Sequence, residues 1–273
     1  MLIRIHVPLA HNAIPYYNYL KKNYKSLCSS ETTLEFYVYS IQGQLPVDAD
    51  KQIICKTSSG SDGHAIAIES ILKEPVDEDI KIIADSDTVM LAKDWDLRLK
   101  ILFSQYQNYG IVGTSYERIG GFSTENIKRQ AYKFKPTFSW AALSPKYDFS
   151  KMTAMPAKNE NVTIDTLEKS MLYNLPVGYE LFRDAAWQLP EFLQENKIPY
   201  VYLENFRPTQ PQSLAVKSGN DYNEEFQLWG IPFVGHQRGS NKRPFRACKE
   251  SIDFYQSIEN YLTSCGGNPK PVV

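Results

Sequence analysis

The first half of the chain alternates two hydrophobic periods. Leu2, Ile3, Ile5 and Val7 make a short extended run, Tyr17, Leu20, Tyr24 and Leu27 recur at helical spacing, and Leu34 to Tyr39 is extended again. The rhythm continues with a strand over Gln52 to Lys56 and a helix from about Gly63 with Ala65, Ile68, Ile71 and Leu72 on one face. Then comes the apolar run Ile80-Lys81-Ile82-Ile83-Ala84, which reads as a buried strand. Trp95, Leu99, Leu102 and Phe103 mark a further helix, and Gly110 to Gly113 a short strand. Strands alternating with helices predict an α/β fold with a mostly parallel central sheet flanked by helices, with ligands gathered at the carboxyl ends of its strands.

From Thr114 to about Val177 the periodicity fades into a stretch rich in Tyr, Phe, Lys, Ser and Pro, expected as a loop-rich insertion with a few extra strands. Pattern returns as a helix over Tyr179 to Lys197, interrupted or restarted near Pro190, and then as the strand Tyr200 to Leu203. Ile252, Tyr255, Ile258 and Leu262 define a final amphipathic helix, and Cys265 to Val273 reads as a loose tail. One domain is expected over residues 1–246, with halves meeting at 113/114, followed by the terminal helix and tail over 247–273.

Composition narrows the partners. In 273 residues, 42% of them hydrophobic, Lys plus Arg number 30 against 31 for Asp plus Glu, so no global field drives the chain onto nucleic acid or an anionic membrane. The start, Met1 to Val7, alternates like a strand and not like a secretory leader, and no run of 18 apolar residues occurs, so a soluble cytoplasmic protein without a membrane anchor is expected. Cys28, Cys55, Cys248 and Cys265 lack the spacing of a zinc site and read as reduced structural thiols.

Asp-x-Asp occurs four times, at Asp48/Asp50, Asp77/Asp79, Asp85/Asp87 and Asp94/Asp96. Only Asp85-Ser86-Asp87 stands at the carboxyl end of a run that reads as a buried strand. Carboxylates placed there project into one space and can share a hard divalent cation, which in turn holds a diphosphate. The plain alternative is a strand end closed by Asx-turns. The other three pairs read as solvated turns or helix starts. Near the chain end, Gly235-His236-Gln237-Arg238-Gly239-Ser240-Asn241-Lys242-Arg243-Pro244-Phe245 combines a candidate metal ligand with glycines and three cationic side chains. Gly239 would let backbone approach a phosphate, Lys242 would supply a point charge, and neutral His236 would join Asp87 on the cation. A basic surface turn is the alternative.

Together these segments resemble the GT-A class of nucleotide-sugar glycosyltransferases. The late His236-x-x-Gly239-x-x-Lys242-x-Pro244-Phe245 is similar to a signature of the family-8 retaining enzymes, with one extra residue, Arg243, before the proline. The resemblance implies a Mn²⁺ or Mg²⁺ ion on Asp85, Asp87 and His236, and a nucleoside-diphosphate-sugar donor, a UDP-sugar by default. It places the nucleotide-sugar in the half before residue 114, with Pro8, His11 and Asn12 near base and ribose and Asp85 touching the ribose. Ser59 and Asp62, in the loop before the helix that starts near Gly63, suit a sugar or phosphate at a helix N-terminus, or form a flexible loop with Asp62 as N-cap. Gly239 and Lys242 complete the donor site.

Gly178 to Asp184 resembles the acidic acceptor-side helix start of GT-A enzymes, which makes Glu180 and Asp184, one helical turn apart, the candidate catalytic carboxylates. Carboxylates at a helix start also simply favour its dipole. Between Tyr116 and Lys135, Arg118, Lys128, Arg129 and Lys133 interleave with Phe122, Tyr132 and Phe134. Such a mixture suits a hydroxymethylated base in DNA, as phage enzymes of this class modify, as well as a glycan acceptor. Two further readings stay open at this point: a nucleotidyltransferase acting on sugar phosphates, and a non-catalytic nucleotide- or carbohydrate-binding module.

Overall fold

A computed structural model describes residues 1–41, 43–55, 61–104, 108–116, 134–154, 161–182, 185–217, 223–238 and 244–265. Along the chain these form β1 (Leu2–Leu9), a 3-10 turn (His11–Ala13), α1 (Ile14–Leu27), β2 (Thr33–Ser40), β3 (Lys51–Ile54), α2 (Ser61–Lys73), β4 (Ile80–Ala84) and β5 (Thr88–Met90). There follow α3 (Trp95–Leu102), β6 (Ile111–Thr114), β7 (Thr137–Leu143), β8 (Asn161–Thr163), α4 (Leu167–Tyr173), β9 (Glu180–Phe182) and α5 (Leu189–Glu195). The chain ends in β10 (Tyr200–Phe206), β11 (Asn223–Leu228), β12 (Ile231–Gln237) and α6 (Lys249–Ser264).

Among the described residues, ten strands share one sheet in the order β3-β2-β1-β4-β7-β6-β10-β11-β12-β5. β3, β2, β1 and β4 are parallel neighbours, as are β6 and β10, whereas β7 runs antiparallel between β4 and β6. The mostly parallel α/β core predicted from the periodicity is therefore present. Beyond β10 the sheet continues antiparallel through β11, β12 and β5.

A parallel sheet survives only when both faces are covered, and two hydrophobic clusters do this. On one side Ile3, Ile5 and Val7 of β1 pack with Tyr17, Leu20, Tyr24 and Leu27 of α1 and with Trp95 and Leu99 of α3. On the other, Ile68, Ile71 and Leu72 of α2 pack with Tyr39, Ile83 and Ala141. Most predicted helix faces are thus the buried ones, although Ile252 of α6 is 48% exposed. All four cysteines are free, as expected. No helix among the described residues is long and apolar enough to cross a membrane.

The first part of the expected helix over 179–197 is overturned, whereas its restart near Pro190 is present. Glu180–Phe182 is a strand paired with β8, and the helix is confined to Leu189–Glu195, with a proline in its first turn. The backbone explains the break: Gly178 and Ala186 both take positive φ, at 92° and 58°, which a continuous right-handed helix excludes. The three spare Asp-x-Asp pairs are structural. Asp50 and Asp79 accept the backbone N–H of Phe36 and Leu2, while Asp48 pairs with Lys21 and Asp77 with Arg4. Asp96 is fully buried instead of solvated, because Ser29 and Thr32 donate hydroxyls to it, each at 2.6 Å.

β1 also carries charge into the α2 side of the sheet. Arg4, His6, Glu78 and Lys81 are all buried, with Arg4 pairing to Glu35, Asp77 and Glu78, and Lys81 Nζ lying 3.8 Å from Glu78. His6 accepts or donates one hydrogen bond at Tyr39 Oη, and its Nε2 lies 3.8 Å from Glu78 Oε1. Burial, reinforced by Lys81 and Arg4 and opposed by Glu78, pushes His6 down from 6.5 to about 4. Glu78 is also lowered: burial would raise it, but His6 and Lys81 outweigh that. Between pH 6.5 and 4 the unfolded chain therefore binds a proton at His6 that the folded chain refuses, so stability falls as pH drops. The Glu78 contribution is lost in the same direction, as pH falls through its folded value. We expect urea unfolding to show a loss on the order of 3 kcal/mol from His6 between neutrality and pH 4, and His6→Gln to flatten that slope. An unchanged slope in the variant would refute the assignment.

Candidate metal centre

The centre lies where β4 stops. Asp85 N donates to Ser139 O on β7 at 2.8 Å, and Thr88 folds back so that its N and Oγ1 both donate to Asp85 O, at 3.1 and 2.7 Å. This tight turn hands the chain directly to β5, which pairs antiparallel with β12 in the register Thr88 opposite His236. Gln237 N then donates to Asp87 O at 3.1 Å. A histidine far along the sequence is in this way fixed beside the Asp pair by backbone register, not by loop contacts.

One ligand atom each from Asp85, Asp87 and His236 lie within 4.8 Å of one another. His236 Nε2 is 3.3 Å from Asp87 Oδ1 and 4.0 Å from Asp85 Oδ2. Opposite ligands of an octahedral ion with bonds of roughly 2.0–2.6 Å stand about 4–5 Å apart, so this oxygen, oxygen, nitrogen set fits a divalent cation. His236 Nδ1 faces Glu224 Oε2 at 3.3 Å, an outer carboxylate of the kind that fixes a metal-binding imidazole. Glu224 is held in turn by Asn205 Nδ2 at 3.2 Å and lies 3.7 Å from Arg238, while Asn205 also donates to Ser115 O.

The electrostatics show how strongly the pocket asks for positive charge. Burial alone would lower His236, yet the Asp87 and Glu224 carboxylates outweigh it and lift the imidazole to about 10. Burial would likewise raise Glu224, but His236 and Arg238 hold it down near 2. Without a cation the imidazolium itself serves as the counter-charge between carboxylates. A divalent ion would take over that role as the imidazole gives up its proton. The side of the cluster open to solvent is Asp85, at 23% side-chain exposure against 8% for Asp87.

One residue at the centre was read from the sequence only as the last of the loop Thr57 to His64, suited to a sugar or phosphate, and not as a partner of the Asp pair. His64, on α2, places Nε2 3.0 Å from Asp85 Oδ1. Glu224 and Asn205 were missed as well: Glu224 sits in a polar stretch that carries no signal of burial until β11 is known to be a strand, and Asn205 lies on β10 two residues past the strand predicted over Tyr200 to Leu203. Of the other predicted site residues, Pro8, His11 and Asn12 lie at the carboxyl end of β1, on the same sheet edge as Asp85, with His11 and Asn12 exposed in the 3-10 turn. Pro8 falls beyond the Ile3 to His6 segment of β1 that pairs with β4. Asp62 is in the first turn of α2. Glu180 is exposed on β9, so the shared helical face proposed for it with Asp184 does not exist. Ser59, Asp184, Gly239 and Lys242 lie outside the described residues.

Fold and site together define an α/β protein with a carboxylate–imidazole cluster, able to hold a metal ion, at the carboxyl edge of its parallel strands. No family model matches the chain, and no curated protein matches it. Among solved structures the chain is similar to the galactosyltransferase LgtC in complex with donor and acceptor sugar analogues, at 13% identity and a TM-score of 0.45 over 94% of this chain and 95% of that one. It is similar to a mannosyltransferase from Pyrobaculum calidifontis in complex with GDP-Man and Mn²⁺, at 15% identity and a TM-score of 0.36, covering 53% of this chain and 44% of that one. It is also similar to glucosyl-3-phosphoglycerate synthase from Mycobacterium tuberculosis in complex with Mn²⁺, UDP-Glc and phosphoglyceric acid, at 14% identity and a TM-score of 0.36, covering 56% and 59%. The chain thus spans less than two thirds of the length of the last two. With every TM-score below 0.5 these likenesses carry no argument about chemistry, which rests on the site itself.

Glu224 provides a direct check on that site. Glu224→Gln leaves the side-chain volume intact but removes the charge that orients His236. Loss of such an outer carboxylate typically costs about 10–100-fold in metal affinity, and we expect this in Mn²⁺ titration followed by calorimetry. An unchanged affinity would remove His236 from the ligand set.

Proposed function

We propose that the protein is a metal-dependent glycosyltransferase that moves a sugar from a nucleoside-diphosphate-sugar to a hydroxyl acceptor. The observation that carries this reading is the convergence of Asp85, Asp87 and His236, from two distant segments, at the sheet edge where an α/β fold binds its ligands. The reaction breaks the bond between the anomeric carbon and a phosphate oxygen, and the departing diphosphate carries the electron pair of that bond. A divalent ion bound here would neutralise the charge that builds up on it. The imidazole in the donor set favours Mn²⁺ over Mg²⁺, because nitrogen ligands gain more from a transition ion.

The remaining roles are proposed from place on the sheet edge or along the sequence. Asp87, nearly buried and locked by Gln237 N, anchors the ion; Asp85, more exposed, is placed to meet both ion and donor. Pro8, His11 and Asn12 share the edge on which a nucleotide held by such an ion would lie. Lys242 and Gly239, which follow His236 in the sequence, are proposed to bind the diphosphate, with uridine as the base. Glu180 and Asp184 remain the candidates for contact with the acceptor. The same cluster could serve nucleotidyl transfer, but the first strand lacks a glycine-rich basic phosphate loop.

The test is thermal stabilisation of the full chain by a panel of nucleoside diphosphates and nucleotide-sugars, each with Mn²⁺ and with EDTA. Turnover is then followed with glycan and hydroxymethylated-DNA acceptors. A Mn²⁺-dependent shift with release of nucleoside diphosphate supports glycosyl transfer. Release of pyrophosphate would replace it with nucleotidyl transfer, and no metal-dependent shift with any nucleotide would leave a binding module.

A further inference from the structure

β12 leaves the metal centre at Gln237, and the chain comes back at Phe245 and Arg246 on its way into α6. Both ends of this excursion meet on one side chain. Ser251, in the first turn of α6 and fully buried, donates its hydroxyl hydrogen to Gln237 Oε1 at 3.0 Å and accepts the backbone N–H of Arg246 at 2.9 Å. A serine has a single hydrogen to give, and here it goes to the residue next to His236.

Gln237 is itself a junction. Its side chain is fully buried, with Oε1 on Ser251 and Nε2 facing Tyr16 Oη of α1 at 3.5 Å, while its backbone N–H holds Asp87 O at 3.1 Å. Asn223, opposite Gln237 in the β11–β12 pair, adds a second tie to α6 by donating from Nδ2 to Glu250 O at 3.3 Å. The returning chain is fixed as well. Phe245 packs against Tyr16, Tyr19 and Tyr255, with ring centroids 5.2, 5.8 and 4.7 Å away.

Apolar contact already holds α6 on the sheet, since Phe254, Ile258 and Leu262 share one core with Phe233 and Val234 of β12. Such contact is not directional, so it leaves the register of helix on strand loosely specified. A buried hydrogen bond accepts a narrow geometry and is costly to leave unmade. The Ser251–Gln237 bond therefore fixes where β12 ends relative to α6, and the Gln237 N–H carries that placement to Asp87.

We propose that Ser251 is a positioning residue for the metal centre: acting through Gln237, it sets the place of Asp87 and His236, and it makes α6 part of the framework of the centre. The proposal rests on the metal-binding reading of Asp85, Asp87 and His236, and not on any particular substrate.

Mn²⁺ binding to the full chain, followed by calorimetry and by electron paramagnetic resonance of the bound ion, provides the test. Ser251→Ala cuts the link from the helix and Gln237→Leu cuts it from the strand. Each is expected to weaken Mn²⁺ binding about tenfold, the lower end of what partners outside the ligand set contribute, and to alter the spectrum of the bound ion. Because both act along one route, the double variant should stay within about threefold of the weaker single, where independent effects would multiply to about a hundredfold. Ser251→Thr keeps the hydroxyl, so it should bind Mn²⁺ within about twofold of wild type even where its extra methyl lowers Tm. Ser257→Ala removes another α6 hydroxyl, bonded to Phe254 O within the helix, and should leave affinity and spectrum unchanged. Wild-type affinity in Ser251→Ala or in Gln237→Leu, losses that multiply in the double variant, or an equal loss in Ser251→Thr and Ser251→Ala overturns the proposal. Should Ser251→Ala not fold, Gln237→Leu and Ser251→Thr decide it alone. Failure of the metal reading shows separately, as a wild type that binds no Mn²⁺ before any variant is made.

Discussion

Asp87→Ala is expected to abolish turnover, by at least about a thousandfold, and to remove Mn²⁺-dependent binding of nucleoside diphosphate. A metal acting on a leaving group contributes several kcal/mol, and roughly 4 kcal/mol is a thousandfold in rate. The fold should survive, because the structural bond at this position, Gln237 N to Asp87 O, belongs to the backbone. In the variant His236 loses the carboxylate at 3.3 Å, which leaves Glu224 as its close anionic partner. Asp48→Ala is the control: the same tripeptide, but with a side chain 93% exposed that pairs with Lys21. Full activity in Asp87→Ala would sink the metal assignment, whereas equal losses in both variants would point to general destabilisation.

Those two aspartates show what a sequence can and cannot say. Asp85 and Asp87 were legible because five buried residues, Ile80 to Ala84, precede them without a break. The parallel half of the sheet was legible for a similar reason, because Ile3, Ile5 and Val7 of β1 and Ile80 and Ile82 of β4 give it a continuous apolar face. The antiparallel half was not. β11 reads Asn-Glu-Glu-Phe-Gln-Leu, a surface composition, yet all six residues are buried. Its polar groups are satisfied by partners from other segments, which no local period reports. His236 was singled out as a candidate ligand through its motif, although its place on a strand opposite Thr88 was not foreseen. His64 was legible only as the end of the Thr57 to His64 loop, and the packing of α2 near the end of β4 is what brings it to Asp85. The stretch of the expected helix before Pro190 failed because a count of apolar spacings cannot see positive φ at Ala186, while the restart at Pro190 was legible from the proline.

The largest stability effect should come from a residue next to the site. Glu225 is fully buried and accepts five hydrogen bonds: from the backbone N–H groups of Leu214, Ala215 and Val216 at 3.0, 2.7 and 2.9 Å, from Ser213 Oγ at 3.0 Å, and from Gln227 Nε2 at 2.6 Å. The carboxylate is thus the centre around which the 213–216 turn is folded onto β11. Removing it strands several buried donors, and each costs about 1–3 kcal/mol when left without a partner. Partial relaxation and water entry reduce the sum, so Glu225→Ala should lose roughly 3–5 kcal/mol in urea unfolding, a large share of the margin typical of a domain. Glu225→Gln keeps one accepting oxygen but turns an N–H₂ toward donors, so it should fall between the two. Because neighbouring Glu224 holds His236 from the same strand, the damage should also reach metal affinity, which Glu225→Gln would lower at temperatures where the chain is still folded. A loss below about 1 kcal/mol in Glu225→Ala would mean that the turn stands without its anion, and that β11 positions Glu224 by strand pairing alone.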